Sequence, residues 1–250
     1  MISPEELFFT CLLLSLLNYG LSLLMTCAKK NKMALLFFVL GFLIHTSCQV
    51  SRGWYLSIFT PNAILEEVYF LPWSLSLLAL IFWYLKGNQS VISSVLPLII
   101  IFTGFALVYP GGVAPPTPQE ETIFSPLFFA SEVMAHAFFL LGGWFACLYL
   151  NRKDKGELFH TCLLWGFILY SFSQIIGAIW AYLGWAAPLH WSERHLQSAS
   201  IWCFYAAYIH LRFLSHWTLK KKAWFAVFGL LLVLAFTYGH HFAEMDNRIG

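Results

Sequence analysis

The chain alternates between long apolar stretches and short polar joints. Eight apolar stretches stand out, at 7–27, 33–50, 66–85, 91–109, 126–150, 160–183, 197–217 and 223–241. Each approaches the ~20 apolar residues that an α-helix needs to cross a bilayer. The pattern predicts an all-α fold, a polytopic membrane helix bundle of about eight transmembrane helices, with one membrane domain over residues 1–250. Neither an internal repeat nor a low-complexity tract interrupts it. Residues 1–27 have no basic leader region and no small-residue cleavage site, so they read as a first membrane helix rather than a signal peptide.

Composition agrees: 60% of residues are hydrophobic and 10% charged, where soluble domains carry about 25% charged residues. The net charge of +2 is uninformative, but its distribution is not. The joints after the first, third, fifth and seventh stretches hold Lys29, Lys30, Lys32, Lys86, Arg152, Lys153, Lys155, Lys220, Lys221 and Lys222. The alternate joints and the C-terminal tail hold Arg52, Arg194 and Arg248. Basic residues concentrate on the cytoplasmic side, which predicts both termini outside. The longest outer joint, 110–126, is rich in proline and glycine and reads as a linker.

Several chemistries drop out. Cys11, Cys27, Cys48, Cys147, Cys162 and Cys203 form no CxxC pair and all lie in apolar runs, so they are expected to be small buried apolar residues. A CxxCH haem-attachment motif is absent. There is no nucleophile–base constellation, phosphate loop or zinc signature, so no enzyme is predicted. Nor does a basic patch suggest nucleic acid; the bilayer is the surrounding partner.

Ionisable residues within a span usually face the bundle interior and carry function. His45 and His210 sit inside the second and seventh stretches. Imidazole is a good iron ligand, and paired histidines hold haem between helices; a hydrogen bond to a neighbouring helix is the plainer reading of each. Arg52 lies about two turns after His45 on the same face and suits a carboxylate such as a haem propionate. Arg212 is expected to reach the inner headgroups. His136, four residues after Glu132, reads as a structural pair, and His160 as a solvated residue at the inner surface. His240 and His241 lie at the outer end of the last stretch, where at most one reaches a given site.

The stretch Gly177–Arg212 is the most unusual. A tryptophan-rich segment at 184–196 holds Trp185, Trp191, Pro188, His190, Arg194 and His195 between two apolar runs. Tryptophan at a membrane edge is commonly an anchor. Here, however, GAIWA at 177–181, followed in register by Trp185, Trp191, Trp202, Tyr205, Tyr208, His210 and Arg212, resembles the haem-handling family of cytochrome c assembly proteins, which includes the CcsA and CcmC types. The resemblance extends upstream to His45, Arg52, Pro61, Asn62, Glu66 and Trp73, and to Ser125-Pro126 and the FTYG at 236–239.

The resemblance implies non-covalent haem b, held within the membrane by His45 and His210 as iron ligands and presented by the tryptophan-rich segment. It marks Arg52, Trp185, Trp191, His195 and His240 as further cofactor-binding candidates. It also implies a bacterial inner membrane and another cytochrome c biogenesis membrane subunit as partner. The sequence departs from the family pattern at Ser131, in place of an outer histidine, and at Leu189, Ser192 and His195, in place of tryptophan, aspartate and glutamate. Those departures are similar to a divergent HemX-type branch, which would regulate haem synthesis through a haem-synthesis enzyme. A b-type electron carrier would need a second haem or quinone site, for which the sequence offers no clear candidate.

Overall fold

The computed structural model describes residues 4–56, 59, 61, 66–109, 122–151, 157–189 and 192–239. Among them there are eight α-helices and no strands. The helices are α1 (Pro4–Cys27), α2 (Asn31–Leu56), α3 (Glu67–Lys86), α4 (Ser90–Val108), α5 (Phe124–Leu150), α6 (Glu157–Trp185), α7 (Glu193–Arg212) and α8 (Leu219–Val233). The fold is the all-α, multi-pass helical bundle that the apolar pattern predicts. Helices α1 to α6 are each long and apolar enough to cross a membrane. The seventh stretch is shifted: α7 begins at Glu193 and ends at Arg212, so it starts among polar residues and stops short of 217. Helix α8 has 15 residues and runs directly into a five-residue π-helical turn, Leu234–Tyr238.

The chain forms two compact units, Met1–Pro118 and Gln119–Gly250. In the first, α1 packs on α2 and α4, and α3 packs on α4 and α2. The α1–α2 joint is tight: Lys29 takes a left-handed φ of 58°, and Lys30 N–H donates to the Met25 carbonyl, which closes the end of α1 in a Schellman turn. Gly87 ends α3 with a φ of 62°, a conformation without cost for a residue that has no Cβ. Leu13, Leu14, Leu17, Leu24, Leu36 and Leu43 remain exposed on α1 and α2. Hydrocarbon solvates such a face, whereas water would penalise it by about 25 cal/mol per Å².

Helix α2 outruns its apolar stretch and carries Arg52 as a buried helical residue. Burial is possible because Arg52 forms an ion pair with Glu66 at the start of α3 and lies over the Phe70 ring at 5.1 Å. Trp73 of α3 donates to the Thr46 hydroxyl at 3.0 Å and stacks on Phe42. Of the upstream residues that resembled the family, Arg52 and Glu66 are thus joined to each other, and Trp73 ties α3 to α2 through Thr46.

In the second unit α5 is central, with α6 and α8 packed against it. Adjacent glycines make this possible. A Cβ on Gly142 would collide with the tip of Leu163 on α6, and one on Gly143 with the Cβ of Leu230 on α8. Small residues at such crossings let helix backbones approach closely where no hydrophobic force drives association. Phe139 of α5 and Tyr205 of α7 stack face to face, with ring centroids 3.6 Å apart. Trp165, Ile168, Phe172 and Ile179 form an exposed stripe along α6, at helical spacing.

Gly143→Ala is expected to destabilise the protein by about 1–3 kcal/mol, because the Leu230 Cβ cannot move without its backbone. Gly142→Ala should cost less: the Leu163 tip can rotate, and alanine gains about 1 kcal/mol in helix propensity. Thermal unfolding in detergent reads the difference, and an equal or reversed order would refute this packing.

Candidate functional site

The tryptophan-rich stretch folds back on itself. Helix α6 ends at Trp185. Ala186 then adopts a left-handed φ of 56°, turning the chain, with its N–H donating to the Tyr182 carbonyl. Ser192 is the extended N-cap of α7, and Glu193 follows in the first turn, where the helix dipole favours an acid. The Ser192 side chain does not cap the backbone. Its hydroxyl instead hydrogen-bonds His195 Nδ1 at 2.7 Å. These positions are N-cap and N3, the spacing at which a capping box places serine and glutamate.

Beside this turn, between α6, α7 and α5, lies a half-open cavity of about 640 Å³. Small-molecule and cofactor sites span about 300–1,000 Å³. Gly177, Ala178, Ala181 and Gly184 of α6 line it without filling it, and Trp180, Trp185, Trp202 and Phe128 supply aromatic walls. The Trp202 indole donates to Ser171 Oγ at 3.0 Å, tying α7 to α6 within the lining. Arg194 and His195 bring its positive and titratable groups.

Arg194 is held from below. Its guanidinium donates to Glu132 Oε2 at 3.1 Å, and Glu132 is buried in α5. The same guanidinium lies over Phe128 and Phe129 at 5.2 and 5.1 Å, a cation–π arrangement on both rings. Glu132 of α5 thus finds its partner on α7, and the His136 ring lies against Tyr170 at 5.5 Å.

A family model described as "Cytochrome C assembly protein" matches residues 62–245. The chain belongs to the cytochrome c assembly protein family. A protein of Prochlorococcus marinus (strain MIT 9515) named cytochrome c biogenesis protein CcsA is 24% identical over 270 residues, covering 91% of this chain and 86% of its own length. CcsA proteins of the Prochlorococcus marinus strains AS9601 and MIT 9301 are each 32% identical over 94 residues, covering 38% of this chain and 30% of their own length.

The structure distributes the candidate residues of this family member unevenly. Trp185 and His195 come together in the cavity. Trp191, His240 and His241 lie outside the described residues. His45 is wholly buried in the first unit, and neither ring nitrogen makes a well-aligned hydrogen bond. Tyr19 lies beside it, with ring centroids 6.3 Å apart. Arg52 is the ion-pair partner of Glu66. His210 belongs to the second unit and is exposed rather than buried, because the buried face of α7 is set by Ile201, Tyr205 and Tyr208. Its Nδ1 lies 2.7 Å from the Ala206 carbonyl, which can only accept, so Nδ1 carries a proton and donates it there.

Other expectations need correction. His160 is half-buried and hydrogen-bonded to the Tyr208 hydroxyl, since α6 begins earlier than the apolar run suggests. Cys27 and Cys203 are exposed, while Cys48 and Cys162 are buried. The cavity fits a large, planar, mainly apolar ring system with acidic groups at its edge. Among the described residues no group of three or more His, Cys, Asp or Glu side chains is placed to hold a metal ion. Arg194 is the residue that sequence reasoning passed over. The only signal for it was a lone intramembrane acid, Glu132, in need of a base.

Arg194→Ala is expected to lower stability by about 1–3 kcal/mol, nearer the low end because the Arg194 side chain is 36% exposed and screened. Adding Glu132→Gln to Arg194→Ala should recover part of that loss. Strictly additive losses in thermal unfolding would show that the two groups are uncoupled.

Proposed function

We propose that this chain binds haem b non-covalently and handles it in a bacterial inner membrane during c-type cytochrome maturation, together with another biogenesis subunit. The observation that carries this reading is the aromatic cavity of about 640 Å³ built by the tryptophan-rich stretch, with Arg194 and His195 in its lining. The CcsA names of its relatives supply the pathway. Trp185, Trp180 and Trp202 cover the apolar ring and exclude water. Arg194, pinned by Glu132, offers its remaining N–H groups to a carboxylate. His45, buried with neither ring nitrogen in a well-aligned hydrogen bond, is the site for haem within the membrane. Haem brings its own iron redox chemistry, while the protein supplies ligation, orientation and access.

The detergent-purified protein is expected to show a haem Soret band that weakens in Trp185→Ala, Arg194→Ala and His45→Ala. A strain lacking the gene should fail to attach haem covalently to its c-type cytochromes. Normal cytochrome c in that strain would sink the delivery role. A haem-free protein combined with altered levels of a haem-synthesis enzyme would point to the HemX-type regulator instead.

A further inference from the structure

Resting on the haem reading above, we propose that His195 is an axial ligand to haem iron in the tryptophan-rich cavity, with Ser192 as the residue that orients it. Among the described histidines, His195 is the one in the cavity lining. In the same unit, His136 lies against Tyr170, His160 is bonded to Tyr208, and His210 is exposed at the far end of α7. Metal-ligating imidazoles almost always have their second nitrogen held by a hydrogen-bond partner, which fixes ring orientation and tautomer. Ser192 Oγ, 2.7 Å from Nδ1, is placed to do this. With Nδ1–H donating to the serine, Nε2 carries the lone pair that a metal needs.

The surroundings favour the assignment. His195 sits at N3 of α7, in a rigid first turn beside Arg194, which Glu132 and two phenylalanine rings hold in place. A ligand and a carboxylate-binding group thus come from consecutive residues on one anchored helix end. Cys203, the other soft donor in the lining, lies eight residues further along α7, about 12 Å away. It marks the competing assignment.

The test uses the full-length protein purified with haem, comparing wild type, His195→Gly, His195→Met, Ser192→Ala and Cys203→Ser by optical and electron paramagnetic resonance spectroscopy. His195→Gly should shift ferric haem towards high spin or lose it, and added imidazole should restore the wild-type spectrum. His195→Met should keep haem with an altered ligand signature. Ser192→Ala should retain haem with a shifted midpoint potential. An unchanged spectrum in His195→Gly overturns the proposal, as does a loss that imidazole does not restore while His195→Met is spectrally wild-type. A spectral change in Cys203→Ser alone would transfer the ligand to the thiolate and also overturn it. A haem-free wild type defeats the haem reading itself, and this inference with it.

Discussion

A charge taken out of water must find its counter-charge, and in a chain this apolar few are available. Among the described residues, an arginine and a glutamate answer this in each unit. Arg52 of α2 meets Glu66 at the start of α3, and Arg194 at the start of α7 meets Glu132 inside α5. Breaking a pair as buried as Arg52–Glu66 costs about 3–5 kcal/mol, because the survivor is left uncompensated, and the partly exposed Arg194 pair costs less. Both pairs also stack the guanidinium on phenylalanine, so a desolvated cation rests against ring faces rather than aliphatic surface. In the first unit the pair lets α2 continue as a buried helix past its apolar run. In the second it draws the start of α7 onto α5, and so sets how the turn after Trp185 returns over α6.

The cavity follows from that turn. A helix lined by glycine and alanine at 177, 178, 181 and 184 leaves room where larger side chains would close it. Trp202 is tied to Ser171 and Arg194 to Glu132, so the walls are fixed by polar bonds while the surface they present is mainly apolar. This combination suits an amphipathic ring system better than a small polar substrate. The middle of the stretch supplies the guanidinium and the imidazole of the lining, Arg194 and His195. Ser192 and His195 form one local unit in which the serine hydroxyl holds the imidazole.

The helical, membrane-spanning character was plain in the chain because lipid leaves a backbone almost no alternative to helices, and apolar runs of the right length are hard to mistake. Helix ends were less legible. Arg52 and Arg194 each fall outside the apolar stretches, yet both lie within helices, since a partner on another element removes the penalty that a charge normally brings. His45 was correctly expected to be buried, whereas His210, equally apolar in its sequence surroundings, turned outward. The face of α7 that is buried is decided by Tyr205 and Tyr208 packing on their neighbours, and a window of apolar residues does not rank one face above another.

By itself, the sequence determined the number and kind of elements, the membrane as solvent, and the stretch at 177–212 as the unusual one. These depend on local composition and on spacing within a single helix. Only the tertiary structure decided that Arg194 reaches Glu132, that Gly142 and Gly143 open α5 to two different helices, and that GAIWA and His195 share a cavity. Such facts join residues up to 62 positions apart. They depend on helix rotation and crossing, which are fixed by close packing and by where each buried charge finds its partner.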